Sequence, residues 1–440
     1  MKLHLANTCT FGVFKKLKKL KKHIIGIKLK PSNIFATLGF LPFLIARMCA
    51  VFAMQIQAIV VGWQIYEITR DPMSLAYVGL AQFIPMLVFL PYAGDLIDRF
   101  NRKTVLSISL AVLAVCSALL VWLSYSENDK VYAFYIVLLL FGVGRAFNGP
   151  ALQSLLPQIV PRERLAQALA TNSMLMKVAT IIGPVFGGLL YAYIGGLSYA
   201  VCCLFFVIAI FLLTFVPILF SEQHSAPSSN STTVLQRFSE GLRFIWKNPI
   251  ILGTITLDLF AVLLGGVVAL LPIYALEVLQ VDSTGLGLLR SAMAIGEIGT
   301  GLYLSRRPFN RHVGKVMFTA VAVFGIANLV FAFSTIFWLS FAALVVAGAG
   351  DMISVYIRSA LVQFSTPDYL RGRVNAVNML FISSSNELGT FRAGTSAALI
   401  GAVPAAVFGG LCTLGVVAAM AWRFKPLRTV DKFEEAEHIR

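Results

Sequence analysis

Long apolar runs separated by short polar breaks make up most of the sequence. They predict twelve membrane-spanning segments, at residues 35–66, 75–93, 104–124, 131–155, 166–193, 198–220, 250–276, 285–305, 313–333, 337–363, 374–399 and 404–424. Each is close to or longer than the roughly 20 residues that cross a bilayer as a helix. Because lipid offers no partner to an exposed backbone N–H or C=O, these segments are predicted to be helical.

The longest polar break within the chain, residues 221–247, divides the spans into two groups of six. It contains a Ser-rich stretch at 225–233, a composition typical of a flexible linker. We therefore predict an all-α polytopic membrane protein with five regions. They are a basic tail (1–32), a first six-helix bundle (33–220), a linker (221–249), a second six-helix bundle (250–424) and a C-terminal tail (425–440).

Composition and charge agree with a membrane location. Hydrophobic residues make up 58% of the chain and charged residues only 13%, against about 25% in soluble domains. The net charge of +16 would suit nucleic acid, but nine Lys lie in residues 1–32 and most other basic residues lie in alternate connections. That distribution follows the positive-inside rule. It predicts a multi-pass protein of the cytoplasmic (inner) membrane with both termini cytoplasmic, and it excludes a nucleic-acid partner.

The sequence contains no recognisable metal or catalytic pattern. Its six Cys form no CxxC pair, its five His have no metal-ligand spacing, and no phosphate-binding GxxxxGK[ST] loop occurs. Five of the Cys lie in apolar runs, as small core residues do. No enzymatic activity, metal or cofactor is therefore predicted, and a proton is the expected coupling ion.

A dense group of charges lies between the second and third predicted spans. Its residues Gly94, Asp98, Arg99, Arg102 and Lys103 belong at a membrane face, because charges are costly in hydrocarbon. This stretch resembles the loop between helices 2 and 3 of the major facilitator superfamily, with Asn101 in place of the usual Gly. The resemblance implies the superfamily's fold of two six-helix bundles. It also implies that these residues act as a charge lock, which closes one side and breaks when the halves rock.

Further segments support the resemblance. Arg145, Asn148 and Gly149 resemble the superfamily's Arg-x-x-Gln-Gly motif. The set Gly183, Pro184, Gly187 and Gly188 resembles its GPxxGG motif, which is associated with antiporters and implies export. Residues 61–69 and 351–394 resemble the branch that contains the enterobactin exporter and related secretion effectors. That branch also contains drug and macrolide exporters, so the resemblance leaves the substrate open.

Ten charged residues lie inside the predicted spans: Arg47, Arg145, Lys177, Asp258, Arg290, Glu297, Asp351, Arg358, Glu387 and Arg392. One interpretation is a central cavity whose basic surplus attracts an anion and whose carboxylates carry a proton. The other is that the charges pair across helices as structural locks. Asp351 and Arg358 are seven residues apart, share a helix face and are expected to pair. Glu297, among three glycines, is then the first candidate proton carrier and Asp351 the second.

The sequence as a whole favours a secondary active exporter that uses proton antiport. The first substrate hypothesis is a small anionic compound such as a siderophore, and the alternative is multidrug or macrolide-type efflux of hydrophobic compounds. Nutrient uptake is disfavoured by the GPxxGG-like segment, and a receptor or scaffold by the embedded charges. The expected partners are the substrate and the lipid bilayer, with an outer-membrane channel as a further candidate, and the protein is expected to be a monomer. The basic tail either forms a short helix on anionic lipid or is a solvated topogenic segment.

Overall fold

The structure is a computed structural model that describes residues 37, 39–126, 131–218, 234–307, 309, 311–367 and 370–433. The predicted basic tail and the Ser-rich part of the linker lie outside these residues. The described part of the chain is almost entirely helical. It contains helices that correspond to all twelve predicted spans.

The first half consists of six long helices. They are α1 (Phe40–Thr69), α2 (Pro72–Arg99), α3 (Arg102–Ser124), α4 (Val131–Ile159), α5 (Arg162–Ile194) and α6 (Ser198–Thr214). Polar side chains cap the short connections: Asp71 accepts a hydrogen bond from Met73 N at the start of α2, and Asn101 accepts one from Lys103 N at the start of α3. These caps satisfy backbone donors that have no partner within the helix.

The second half follows an extra amphipathic helix, α7 (Val234–Lys247), which occupies the end of the predicted linker. Its long helices are α8 (Pro249–Gly265), α9 (Ser283–Arg306), α10 (Val313–Phe333), α11 (Phe337–Ser365), α12 (Arg371–Ile400) and α13 (Ala402–Arg423), and a short α14 (Lys425–Thr429) follows. Only Asn248 separates α7 from α8, and its side chain caps α8 by accepting from Ile250 N and Ile251 N.

Hydropathy separates two of these helices from the others. Nine segments of the described chain are long and apolar enough to cross a membrane by length and composition, and one of them, Gln167–Thr214, covers most of α5 and all of α6. Helices α9 and α12 are not among the nine. Both carry embedded charges and many small or polar residues, which suits helices that face the interior of the bundle rather than lipid.

Each half packs around its own apolar core. In the first half, α1 packs on α5 and α6, α2 on α4, and α3 on α4 and α6. In the second half, α9 and α10 pack on α11, while α8 and α10 pack on α13. The halves meet along two helix pairs, α5 with α9 and α2 with α12. These two pairs form the main contact between the halves.

The helix contacts fix which connections share an end of the bundle. Helices α5 and α9 run antiparallel, because Lys177 contacts Glu297 near their middles while Gly188 O accepts from Ser283 Oγ further along. The start of α5 and the end of α9 therefore lie together. Arg102 at the start of α3 donates to Ser154 O near the end of α4, which places the α2–α3 connection at that same end. The prediction that the 94–103 and 306–315 regions share one side is confirmed, and we call this side the basic-loop end.

Two predicted boundaries differ from the structure. The charged stretch 94–103 was expected to be a loop, but α2 continues as far as Arg99 and α3 begins at Arg102, so the connection is Phe100 and Asn101 alone. The predicted span 250–276 is present as one apolar segment, Pro249–Val278, but it is not one continuous α-helix. Helix α8 ends at Gly265, and the chain continues through a 3₁₀ turn (Val268–Leu270) into a π-helical turn (Tyr274–Val278).

The break in the seventh span lies within the bundle, where unpaired backbone groups are costly. Arg392 on α12 donates to the carbonyls of Leu263 and Gly266, both at 3.3 Å. Asn328 on α10 donates to Gly265 O at 3.2 Å. Side chains from two neighbouring helices thus supply the hydrogen bonds that a continuous helix would have made, and the irregular segment can face a cavity.

Candidate functional site

A cavity of about 380 Å³ lies between the two halves. Its wall is mostly apolar and comes from both halves, with Met54 and Phe141 on one side and Leu271 and Leu286 on the other. Polar groups are few, namely Gln55, Gln57, Gln82, Arg145, Arg290, Glu387 and Thr390. We call this space the apolar lobe.

A second cavity of about 270 Å³ adjoins it within the second half. Arg290, Asp351, Asn386, Glu387 and Thr390 line it, together with residues of the broken span. Arg290, Glu387 and Thr390 line both cavities, so the two spaces share a wall and form one site. We call the second space the polar lobe.

Glycine contacts seal the site at the end opposite the basic loops. On α5, a Cβ at Gly188 would lie 2.1 Å from Ser283 O, and on α9 a Cβ at Gly287 would lie 2.4 Å from Pro184 O. Helices α2 and α12 approach in the same way, since a Cβ at Gly394 would lie 2.8 Å from the Ala76 side chain. Backbones this close require residues without side chains. We call this region the sealed end.

The GPxxGG-like segment has a clear structural basis at this position. Gly183 and Gly187 face α1, where a Cβ would lie 2.6 Å from the Gln55 side chain and 3.0 Å from Ile56 Cα, respectively. Gly188 instead faces the other half. The segment therefore lets α5 approach α1 within its own half and α9 across the interface at once.

Tyrosine–glutamate hydrogen bonds add to the closure. Tyr66 on α1 donates to Glu277 in the π-helical turn, which links the first half to the second. Tyr191 on α5 donates to Glu67 at 2.8 Å within the first half. Tyr66 is fully buried whereas Glu277 is exposed, so this contact is only partly shielded from solvent.

The halves part toward the basic-loop end. Residues 177, 181, 184 and 188 of α5 face α9, and Met174 continues this stripe toward the basic-loop end at helical spacing. Yet the Met174 side chain is 72% exposed. The site is therefore closed at the sealed end and open toward the basic loops.

Two ion pairs join the halves beside the cavities. Lys177 Nζ on α5 lies 2.7 Å from Glu297 Oε2 on α9. Arg145 Nη2 on α4 lies 3.5 Å from Glu387 Oε1 on α12, and Arg145 Nη1 also donates to Gln82 Oε1 at 3.0 Å. Because each pair links the two bundles, both pairs must break or rearrange if the halves rock apart at this depth.

The expected Asp351–Arg358 pair is wrong. Arg358 pairs instead with Asp258 on α8, and both side chains are buried within the second half. Two helical turns separate residues seven apart by about 10 Å along the axis, so a shared face does not bring their side chains into contact. Asp258 approaches from a neighbouring helix at the level of Arg358.

Three of the embedded charged residues have no hydrogen-bond or ion-pair partner among the described residues. Arg145, Lys177 and Arg358 are ion-paired, and Arg392 donates to carbonyls at the break in the seventh span. Among the described residues, Arg47, Arg290 and Asp351 form no hydrogen bond or ion pair with a protein side chain or backbone group. This remainder combines two guanidinium groups with one carboxylate.

These three charges lie at different places in the site. Arg290 lines both lobes, and Asp351 lines the polar lobe. Arg47 is half-buried on α1, on the same helix face as the cavity-lining Val51 and Met54 and nearer the basic-loop end. Its Nε is buried without a partner.

Two of the predicted gating residues, Arg102 and Lys103, lie apart from the cavities. Arg102 donates to Ser154 O, and Lys103 donates to the carbonyls of Thr214 and Val216, all within the first half. The side chains of Asp98 and Arg99, and with them the predicted charge lock, lie outside the described residues.

Several residues of the site were missed by the sequence reasoning. Gln82, Asn386 and Thr390 line the cavities, while Tyr66 and Glu277 join the halves. Lone polar residues in apolar runs could have indicated Gln82 and Glu277. The adjacent Gly265 and Gly266, with Pro272 beyond them, could have indicated the helix break, since Gly and Pro interrupt helices.

Two helical halves around one central cavity, closed at one end, define a transporter of the major facilitator class. The chain belongs to the transmembrane secretion effector family, which its sequence matches over residues 32–439. It is a multi-pass membrane protein and an efflux transporter, and the family and its relatives are transporters rather than enzymes.

Named relatives include exporters of two kinds. The multidrug efflux pump Tap of Mycolicibacterium fortuitum is 27% identical over 84% of this chain and 92% of that protein. The enterobactin exporter EntS of Citrobacter koseri is 24% identical over 77% of this chain and 80% of that protein. Among solved structures, a bacterial homologue of the iron transporter ferroportin in its inward-facing state has the same fold, with a TM-score of 0.66 and 16% identity over 89% of this chain and 99% of that one.

Proposed function

We propose that this transporter is a proton-coupled antiporter that exports a small anionic compound, such as a siderophore, across the cytoplasmic membrane. The observation that carries this proposal is the group of unpaired charges, two guanidinium groups and one carboxylate, in and near a cavity between the halves. The positive-inside pattern assigns the basic-loop end and both termini to the cytoplasm. On that assignment the cavity opens inward, ready to take up cargo from the cell.

Alternating access would then follow from rocking of the halves. Opening the sealed end requires α5 and α9 to separate at Gly188 and Ser283, while the basic-loop end closes around the 94–103 and 306–315 connections. The Lys177–Glu297 and Arg145–Glu387 pairs cross the interface and would exchange partners during this step. We propose that the protein does this as a monomer, and that handing the cargo to an outer-membrane channel is a further step.

The contacts of the two carboxylates favour a different order of proton carriers from the one expected from the sequence. A carboxylate already held by an ammonium group gains less from binding a proton than one with no ionic partner. Glu297 is held by Lys177, whereas Asp351 has no such partner among the described residues. We therefore propose Asp351 as the proton carrier, with Glu297 second.

Transport into everted membrane vesicles tests this proposal. Asp351→Asn should abolish uptake driven by an imposed proton gradient, whereas Glu297→Gln should slow it and leave it sensitive to an uncoupler. Asp71→Asn is the matched control: the residue is exposed, and Asn caps a helix as well as Asp does. Wild-type uptake by Asp351→Asn would assign the proton to another group, and uptake that ignores an uncoupler would overturn the antiport mechanism.

Multidrug efflux of hydrophobic compounds is the second candidate. The observation that favours it is the mostly apolar wall of the larger lobe, with Met54, Leu75 and Phe141 among its residues. Methionine side chains adapt to ligands of varied shape. The same vesicles would distinguish the candidates, because a siderophore-like anion and a hydrophobic cationic dye should compete only if both use this site.

A further inference from the structure

We infer that the exported compound is an amphiphile with one compact anionic group, which Arg290 binds, and an apolar body that fills the apolar lobe. This inference deepens the proposed function and depends on it. It assigns the anion to one residue and the rest of the molecule to a defined space.

Arg290 differs from the other embedded cations. It is half-buried on α9, lines both lobes, and makes no hydrogen bond or ion pair with any described residue. A guanidinium has five N–H donors, and leaving such a charge without partners in a low-dielectric interior is costly. The group is therefore available to a ligand, or to water that a ligand displaces.

The groups around Arg290 restrict what it can bind. Glu387 lines both lobes as well, but its carboxylate is already within 3.5 Å of the Arg145 guanidinium. Because Glu387 is paired with Arg145, Arg290 is the one charged residue lining the apolar lobe that has no ion pair among the described residues, and Asp351 lines only the polar lobe. A carboxylate, sulfonate or similar planar anion matches the guanidinium fork through two parallel hydrogen bonds. Asn386 and Thr390 could serve as further polar contacts on the same side.

The shape of the site sets the rest of the molecule. The polar lobe, about 270 Å³ in volume, also holds Asp351, which would repel a second negative group. The apolar lobe, about 380 Å³ in volume, lies in the range of pockets that enclose drug-sized ligands. A single anionic head next to a hydrophobic body therefore fits better than a polyanion or a neutral hydrophobic compound.

Direct binding to the purified, full-length transporter in detergent tests this inference without requiring transport. The probes are 1-pyrenebutyrate and its primary amide, which share an aromatic body and differ in charge, and protein-free micelles give the background. Wild type should bind the acid about tenfold or more tightly than the amide, as expected for one charge-assisted contact. Arg290→Gln should lose that preference, and Arg290→Lys should keep part of it.

Arg306→Gln is the matched control, because this exposed residue lies on the same helix beyond the cavities. It should bind both probes as wild type does. Size-exclusion profiles and binding of the amide probe report whether each variant is folded. If Arg290→Gln does not fold, the acid preference of Arg290→Lys, which should lie below that of wild type, tests the inference instead. An unchanged acid preference in Arg290→Gln, or no preference in wild type, overturns the inference. Gradient-driven uptake into the everted membrane vesicles described above would, if it persists, show that the proposed function survives this failure.

Discussion

Gly188→Ala tests whether the sealed end is held by backbone contact between the halves. The added Cβ would lie 2.1 Å from Ser283 O and 2.9 Å from the Ser283 carbonyl carbon. Both atoms belong to the backbone at the start of α9, so no side chain can rotate away. The hydrogen bond from Ser283 Oγ to Gly188 O, at 2.8 Å, would be strained by the same displacement.

The size of the effect follows from these distances. Non-bonded atoms settle at about 3.5 Å, so α5 and α9 must separate by roughly 1.4 Å at this contact to admit the methyl group. Overpacking of this kind costs about 1–3 kcal/mol. The alternative conformation, with the sealed end open, does not contain this contact. The ratio of the two conformations should therefore shift by about 5-fold to 150-fold toward the one with the sealed end open.

The assay is a distance measurement between spin labels at the sealed end. Labels replace Tyr193 on α5 and Trp338 on α11, which are exposed residues on opposite halves, in a background without native cysteines. Gly188→Ala should increase the population with long distances and slow export. Gly415→Ala is the matched control, since a Cβ there meets nothing within 4 Å. A distance distribution in Gly188→Ala that matches wild type would refute the argument that this contact closes the site.

Other contacts give smaller or different effects. Arg358→Leu leaves the Asp258 carboxylate buried and unpaired, so thermal unfolding should show a loss of about 3–5 kcal/mol in the free energy of unfolding. Adding Asp258→Leu should restore most of that loss, and equal stability of the single and double variants would contradict this. Tyr66→Phe removes a hydrogen bond to Glu277 worth about 1 kcal/mol. It should lengthen the spin-label distances, as Gly188→Ala does, but by less. A shift toward shorter distances would argue against closure by this pair. Arg392→Met removes the donors to the Leu263 and Gly266 carbonyls at the break in the seventh span, so amide hydrogen exchange beyond the break should accelerate by about tenfold or more. Unchanged exchange would show that another donor serves these carbonyls.

Much of the fold could be predicted because membrane helices leave strong one-dimensional signals. Apolar runs of about 20 residues mark the spans, and alternate basic connections such as those at Arg102 and Arg306 mark one side. Both signals arise from the cost of placing polar groups in lipid, so they act on each segment independently of its neighbours. The two-half organisation followed from the polar break and from the resemblance of residues 94–103 to a superfamily loop.

The partners of the embedded charges could not be predicted in the same way. Hydropathy places Asp351 and Arg358 inside one span but does not say how that helix is rotated or which helix packs beside it. Packing brings Asp258 to Arg358 and leaves Asp351 to the polar lobe. It also brings Lys177 to Glu297 across the interface, which is why we propose Asp351 before Glu297 as the proton carrier.

The sequence alone therefore determined the spans, their shared basic side and the set of charges that must avoid lipid, because burial in hydrocarbon penalises each of these features locally. Only the tertiary structure decided which charges pair, where the seventh span breaks and which end of the cavity is closed. Those properties depend on the approach of helices that are distant in the chain. Arg290 is the clearest case, since packing pairs the neighbouring Glu387 with Arg145 and leaves the Arg290 guanidinium without an ion pair among the described residues.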